Sequence, residues 1–191
     1  MPEGDVDPAI RMSDDAIRAA TGRAWVDWRI ALDAFDVAAN GHAATARHLQ
    51  QAHGVPAWWA QTLTVRYEQE RGLRQPGERA DGFGFTVQRT LDARPEDAFA
   101  AFASAQALDG WFTSGAEVDF REGGRYRSAD GDAGRYLRIE PGRRLRFTWE
   151  NPKHTPGSVV TVDLIPKGPN RTTVAVSHDR LATRDELDAL K

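Results

Sequence analysis

The stretch Val118–Tyr126 reads VDFREGGRY, and it decides the fold of the second half of the chain. Apolar residues alternate with polar ones on both sides of the glycine pair, which is the period of strands with one buried face. Two adjacent glycines inside such a pattern indicate a bulge or a sharp bend in a sheet. The stretch therefore predicts two short strands that are separated at Gly123 and Gly124.

The same alternation extends in both directions from this stretch. Further strands are predicted at residues 83–87, 135–139, 145–149, 160–164 and 172–178. Turn sequences rich in Gly, Pro, Asp and Asn separate the strands that follow the glycine pair.

Helices flank this run of strands. Pro95 begins one helix, Ser104 caps a second, and Thr183 with Glu186 forms a capping box for a third. The order is a strand, two helices, an antiparallel meander and a closing helix. Strand-rich runs with segregated helices predict an α+β fold.

The first part of the chain has a helical period instead. Trp25, Trp28, Leu32 and Phe35 fall at steps of three and four, and Ser13 is a suitable N-cap for the helix before them. Four short helices are predicted, as a small bundle. We therefore divide the chain into a helical domain at 1–75, a polar linker at 76–81 and an α+β domain at 82–191.

Composition excludes several kinds of protein. The 191 residues include no cysteine, which excludes disulfides, thiolate metal sites and cysteine nucleophiles. The net charge of −3 and the lack of a basic stripe argue against nucleic-acid binding. No run approaches the roughly 20 apolar residues of a membrane span. The acidic start lacks the features of a signal peptide, so we predict a cytoplasmic location.

Residues 83–191 resemble the START-like (SRPBCC) superfamily, and within it the branch named after the activator of the heat-shock-protein-90 ATPase. The resemblance rests on VDFREGGRY together with GRYLRIEP at 134–141, RLRFTW at 144–149, TTVAVSH at 172–178 and the pair Trp111-Phe112. It implies a helix-grip fold, in which a curved antiparallel sheet wraps around a C-terminal helix and a cavity lies between them. Relatives bind lipids, hormones or other apolar molecules. Some support cyclisation or aromatase chemistry, and some only contact partner proteins.

Two further features qualify this resemblance. Residues 13–74 resemble an uncharacterised bacterial helical domain that is often fused to the START-like one, which implies an architecture and no function. The closing helix after Thr183 reaches only to Lys191, shorter than the resemblance implies and without the usual Trp near its start. We expect the cavity to lack its usual cover, with the N-terminal helices or a second subunit covering the sheet instead.

No catalytic or metal site is predicted from the residues, and no cofactor. His42, His48 and His53 lack the i, i+4 spacing of a helical zinc pair. Ser177 and His178 are neighbours on a strand, which sends them to opposite faces and prevents a catalytic triad.

The aromatic and β-branched residues of the second half are the best candidates for a site. Strand phase points Phe147, Trp149, Val162 and Val176 inward, but it does not decide between Arg135 and Tyr136. Eight residues are predicted to bind a ligand: Trp111, Phe120, Tyr136, Phe147, Trp149, Val162, Val176 and His178. We expect His178 to place a polar group at the cavity mouth.

Three functions follow from these observations. The first is non-catalytic binding of an apolar small molecule in the cavity. The second is a protein-interaction or co-chaperone-like module, with a protein partner or a homodimer. The third is a weak cyclase or hydrolase that uses Tyr126, Tyr136, Glu150 or His178 in the cavity.

Overall fold

A computed structural model describes residues 12–151, 153 and 156–191. The chain forms two compact units, with the boundary between Pro76 and Gly77. In the part of the chain that the structure describes, no helix is long and apolar enough to cross a membrane.

The described part of the first unit contains five helices. They are α1 (Asp14–Thr21), α2 (Trp25–Phe35), α3 (Val37–Asn40), α4 (His42–His53) and α5 (Ala57–Glu70). The side chain of Ser13 accepts a hydrogen bond from the Ala16 amide, and Gly22 ends α1 in the left-handed conformation, as the sequence predicts. The single turn α3 is additional to the four predicted helices. Asp36 begins it, and its carboxylate caps the Ala39 amide.

The apolar stripe of α2 forms the centre of this unit. Trp28 and Leu32 are almost fully buried, and they pack with Leu49 of α4 and Leu63 of α5. Burying each such side chain contributes about 1.5–3 kcal/mol, so packing of these stripes holds the short helices together.

A polar cluster links α4 to α5 in the same unit. His42 Nδ1 lies 3.0 Å from a carboxylate oxygen of the buried Glu68, and His42 Nε2 lies 2.7 Å from Gln61 Oε1. Arg74 donates to the same carboxylate over 3.2 Å. Both ring nitrogens face acceptors, so the doubly protonated ring satisfies both contacts. The hydrogen bond to Glu68 is the main reason why the pKa of His42 is raised.

We expect the contribution of His42 to stability to fall as the pH rises from about 6 to 8. A histidine whose folded pKa exceeds its unfolded value of about 6.5 contributes fully below that value and loses its contribution as the pH passes the folded pKa. His53 acts in the opposite sense, because burial lowers its pKa. Thermal unfolding of the wild type and His42→Gln across this range isolates His42. The difference in melting temperature between the wild type and His42→Gln should decrease as the pH rises. A difference that does not depend on pH would contradict the raised pKa of His42.

The described part of the second unit is a curved antiparallel sheet with three helices. Its strands are β1 (Glu78–Arg79), β2 (Gly82–Leu91), β3 (Glu117–Val118), β4 (Arg125–Arg127), β5 (Ala133–Glu140), β6 (Arg144–Trp149), β7 (Ser158–Gly168) and β8 (Arg171–Leu181). They form one sheet in the order β1-β2-β8-β7-β6-β5-β4-β3. The helices are α6 (Pro95–Ala100), α7 (Ala105–Asp109) and α8 (Arg184–Leu190). This arrangement confirms the predicted α+β class.

Residues 76–81, which the sequence assigns to a linker, include a strand. Glu78 pairs with Phe83 across a tight hairpin, and the Gly84 amide donates to the Gly77 carbonyl over 2.9 Å. A strand of two residues is too short to show an alternating pattern, so the polar composition conceals it.

The sharp bend predicted at the glycine pair is present, and a third glycine, Gly134 on the next strand, permits a close approach between β5 and β6. Gly123 has a φ of 80°, and the Gly124 amide donates to Arg121 over 2.8 Å. Gly134 pairs with Tyr126 of β4. A Cβ atom on Gly134 would lie 1.9 Å from the Thr148 carbonyl oxygen. Only glycine allows the backbones to approach this closely.

Candidate functional site

A cavity of about 820 Å³ lies between the sheet and helices α6 and α7. One wall consists of side chains from β2 and β4 to β8. The helical wall consists of Ala98, Ala101, Phe102, Leu108, Trp111 and Phe112. Of the lining residues, which all belong to the described part of the chain, only Arg89 carries a formal charge. No residue of α8 lines the cavity.

Strand register builds the sheet wall in rows. Leu145, Val162, Val176 and Val87 pair in turn across β6, β7, β8 and β2, and all four line the cavity. Because side chains alternate along each strand, Val160 and Val174 also face inward. The wall is therefore a continuous apolar surface.

Six of the eight residues predicted to bind a ligand line this cavity. They are Trp111, Tyr136, Phe147, Trp149, Val162 and Val176. The choice that sequence left open is resolved, because Tyr136 faces the cavity while Arg135 is exposed and donates to the Gly123 carbonyl.

Phe120 and His178, which are also predicted to bind a ligand, do not line the cavity. Phe120 lies beyond the end of β3, where strand phase no longer applies, and it packs against Phe99 and Tyr136 outside the lining. His178 does share the inward face of β8. The indole of Trp149 stacks on its ring with centroids 5.5 Å apart, and this contact separates His178 from the cavity.

His178 is buried and not at the cavity mouth. Its Nε2 lies 2.8 Å from Ser158 Oγ, and that hydroxyl is also within 3.2 Å of the Trp149 carbonyl oxygen. Both residues are at most 5% exposed, and neither lines the cavity. The pair resembles a nucleophile with its base, but a ligand in the cavity cannot reach it. Its role is to tie β7 to β8.

Trp149 is held in place by an acceptor from the turn segment that precedes β5. Its indole Nε1 donates to Asp132 Oδ1 over 3.0 Å, and Asn151 donates to the same oxygen over 2.6 Å. Asp132 therefore orients an aromatic side chain of the cavity wall. No sequence signal distinguishes this role from ordinary turn chemistry.

Two tyrosines face the cavity with different hydrogen bonding. Tyr126 donates its hydroxyl hydrogen to the Thr148 carbonyl over 2.9 Å. The Tyr136 hydroxyl has no hydrogen-bond partner among the residues that the structure describes. Burial raises the pKa of Tyr136 to about 12 and raises that of Tyr126 further. Both hydroxyls are therefore protonated at neutral pH and act as donors.

We expect Tyr126 and Tyr136 of the folded protein to remain protonated at pH 10. Burial raises the pKa of Tyr67 as well, so all three tyrosines of the chain are affected. Absorbance at 295 nm should therefore rise at higher pH in the folded protein than in the urea-unfolded chain, which should titrate near 10. A folded-state step near pH 10 would contradict the burial described here. Because the folded pKa values are raised, stability should fall as the pH rises above about 10.

A statistical model of the family described as "Activator of Hsp90 ATPase homolog 1-like protein" matches residues 92–190, which is more than half of the chain. The chain belongs to this family. Membership confirms the resemblance that the sequence suggested for the α+β part. No curated protein gave a significant match to the sequence of this chain.

Two solved structures, with TM-scores of at least 0.50, show the same fold. CalU16 from Micromonospora echinospora is 24% identical and superposes with a TM-score of 0.52, over 59% of this chain and 71% of CalU16. The Aha1 dimer from Colwellia psychrerythraea is 17% identical with a TM-score of 0.50, over 56% of this chain and 83% of that one. PFC0360w, an HSP90 activator from Plasmodium falciparum, is 25% identical with a TM-score of 0.48, over 52% and 74%.

Proposed function

We propose that this family member binds a neutral, apolar small molecule in the cavity of its sheet unit and does not transform it. The observation that carries this proposal is the cavity of about 820 Å³, whose walls are aromatic and aliphatic side chains. Small-molecule sites are typically clefts of roughly 300–1,000 Å³ with mainly hydrophobic lining and a few polar groups. A cytoplasmic location remains part of the proposal.

The chemistry of the lining supports binding by burial. A ligand that removes roughly 300 Å² of apolar surface from water gains about 7.5 kcal/mol before the cost of association is subtracted. Arg89 is exposed, so the interior of the cavity holds no formal charge that would oppose an apolar guest.

The same lining argues against catalysis. Tyr126 and Tyr136 stay protonated at neutral pH and cannot act as bases. Glu150 is exposed and lies outside the lining, and His178 is buried beneath Trp149. No acid and base therefore face each other across the cavity, which general acid–base catalysis requires.

Titration with N-phenyl-1-naphthylamine tests the proposal. This neutral probe fluoresces strongly in apolar surroundings, and we expect saturable binding of one molecule per chain. Prior extraction of the purified protein with an apolar resin removes any ligand that was carried along. A fluorescence increase that fails to saturate, or that equals the increase given by an unrelated protein, would contradict cavity binding.

A protein partner is the second candidate, and the rim of the cavity favours it. Val87, Leu91, Trp111 and Phe112 lie on this rim with exposures of 45%, 38%, 55% and 37%. Exposed apolar patches often mark protein interfaces. Among the similar proteins, Aha1 from Colwellia psychrerythraea is a dimer, and PFC0360w is an HSP90 activator. Light scattering at several protein concentrations would reveal self-association. If the chain self-associates through the rim, we expect association to compete with binding of the naphthylamine probe.

A further inference from the structure

Tyr136 places a hydrogen-bond donor inside the apolar cavity. The residue as a whole is 3% exposed, its hydroxyl donates to no described residue, and that oxygen is not among the fully buried atoms without a partner, so it opens onto the cavity that Tyr136 lines. The hydroxyl of Tyr126 on the neighbouring strand is already used by the Thr148 carbonyl. A buried hydroxyl that is left without a partner costs about 1–3 kcal/mol. A ligand that fills the cavity must therefore supply an acceptor to the Tyr136 hydroxyl, or its binding is weakened by this cost.

The phenol ring of Tyr136 is fixed before any ligand arrives. Phe120, Tyr126 and Phe147 surround it, with ring centroids 5.1, 5.7 and 6.3 Å away. Tyr136 also pairs with Phe147 across β5 and β6. A donor that packing holds in one orientation loses little conformational entropy when it binds, so it selects strongly by geometry.

We infer that Tyr136 selects ligands that carry a neutral hydrogen-bond acceptor, such as a ketone, ester or ether oxygen, on an otherwise apolar frame. This inference rests on the proposed function, because it names the chemical class that the cavity prefers. The phenol stays protonated at neutral pH, so it donates and its partner must accept. A carboxylate is disfavoured at this position, because an apolar wall penalises a desolvated charge.

Two probes of nearly the same shape test the inference. 9-Fluorenone carries a ketone where fluorene carries a methylene group. Their affinities are measured by competition with N-phenyl-1-naphthylamine for the wild type, Tyr136→Phe and Tyr126→Phe. The ratio of the two affinities is compared between proteins, so the different water solubility of the probes cancels. Tyr126→Phe is the matched control. It removes a hydroxyl from the same cavity wall, but this hydroxyl already donates to a backbone carbonyl.

We expect Tyr136→Phe to lower the fluorenone-to-fluorene ratio by about three- to tenfold, which is the effect of one neutral hydrogen bond. Tyr126→Phe should leave the ratio unchanged. The carbonyl stretch of bound fluorenone gives a second readout. It should lie at lower frequency in the wild type and Tyr126→Phe than in Tyr136→Phe, where the hydrogen bond is lost.

The possible failures are distinguishable. If both probes bind but the ratio and the carbonyl frequency are the same in the wild type and Tyr136→Phe, the inference is wrong while cavity binding stands. If neither probe displaces bound naphthylamine from any of the three proteins, the inference is wrong. If the naphthylamine itself does not bind saturably, the proposed function fails together with the inference. Fluorene binding by Tyr136→Phe shows that this variant keeps the cavity folded.

Discussion

Replacing Gly134 by alanine is expected to destabilise the sheet unit by about 3 kcal/mol or more, which is the upper range for overpacking. The new Cβ atom would lie 1.9 Å from the Thr148 carbonyl oxygen, and 2.6 and 2.8 Å from two atoms of Tyr126. Since the first of these is a backbone atom, relief requires β5 and β6 to separate. Urea unfolding, followed through the backbone amide signals of β5 and β6, measures the loss.

Gly110→Ala is the control for this prediction. Gly110 ends α7 in a right-handed conformation. A Cβ atom added to it would lie 3.3 Å from the nearest atom, the Ala107 carbonyl oxygen. We expect a change within about 0.5 kcal/mol, as for ordinary surface substitutions. Equal effects of the two substitutions would show that close approach at Gly134 does not limit the stability of the sheet.

Replacing Val162 by tryptophan is expected to lower the affinity for apolar probes at least tenfold while the protein stays folded. Val162 is 2% exposed and lies on the central strand β7 of the cavity wall. An indole at this position extends into space that a ligand would occupy. Each methylene contact that the ligand loses costs about 0.8 kcal/mol, so the loss of two or more reaches the tenfold level. The naphthylamine titration measures it.

Ile165→Trp is the matched control on the same strand. Ile165 is 41% exposed and does not line the cavity. The substitution places the same side chain three residues after Val162, outside the cavity lining. We therefore expect the affinity for the naphthylamine probe to stay unchanged. Equal losses in both variants would indicate that the probe binds elsewhere or that any added indole disturbs the sheet.

Much of the fold could be predicted because its signals are local. Ser13 and Thr183 cap their helices with the predicted hydrogen bonds, since capping depends on residues within one turn. The glycine pair bends the chain because its conformational requirement is local too. The α3 turn and the strand β1 were missed, because elements of four and two residues are too short to show a period.

Strand phase predicted inward orientation where a strand runs without interruption. Val162 and Val176 lie within long regular strands, and their orientation follows from alternation. The inward orientation of Tyr136 could not be derived from strand phase, because the pairing of β5 with β6 shifts register between Tyr136 and Arg138. Such an irregularity cannot be read from alternation alone.

Contacts between elements were beyond sequence reasoning. The phase of His178 was right, but the stacking of Trp149 over it is a tertiary contact. Apart from Trp111, the residues of the helical wall were missed for the same reason. Leu108 and Phe112 reach the cavity through the docking of α7 on the sheet, which the helical period does not specify.

Native mass spectrometry of the protein as purified, followed by denaturation, tests the central claim most directly. The wild type is measured beside Val162→Trp. We expect the wild type to retain a non-covalent mass of a few hundred daltons that is released on denaturation, and Val162→Trp to retain much less of it. A ligand-free wild-type mass that persists after incubation with the naphthylamine probe, above all as a dimer, would contradict the cavity account and favour a protein interface at the rim.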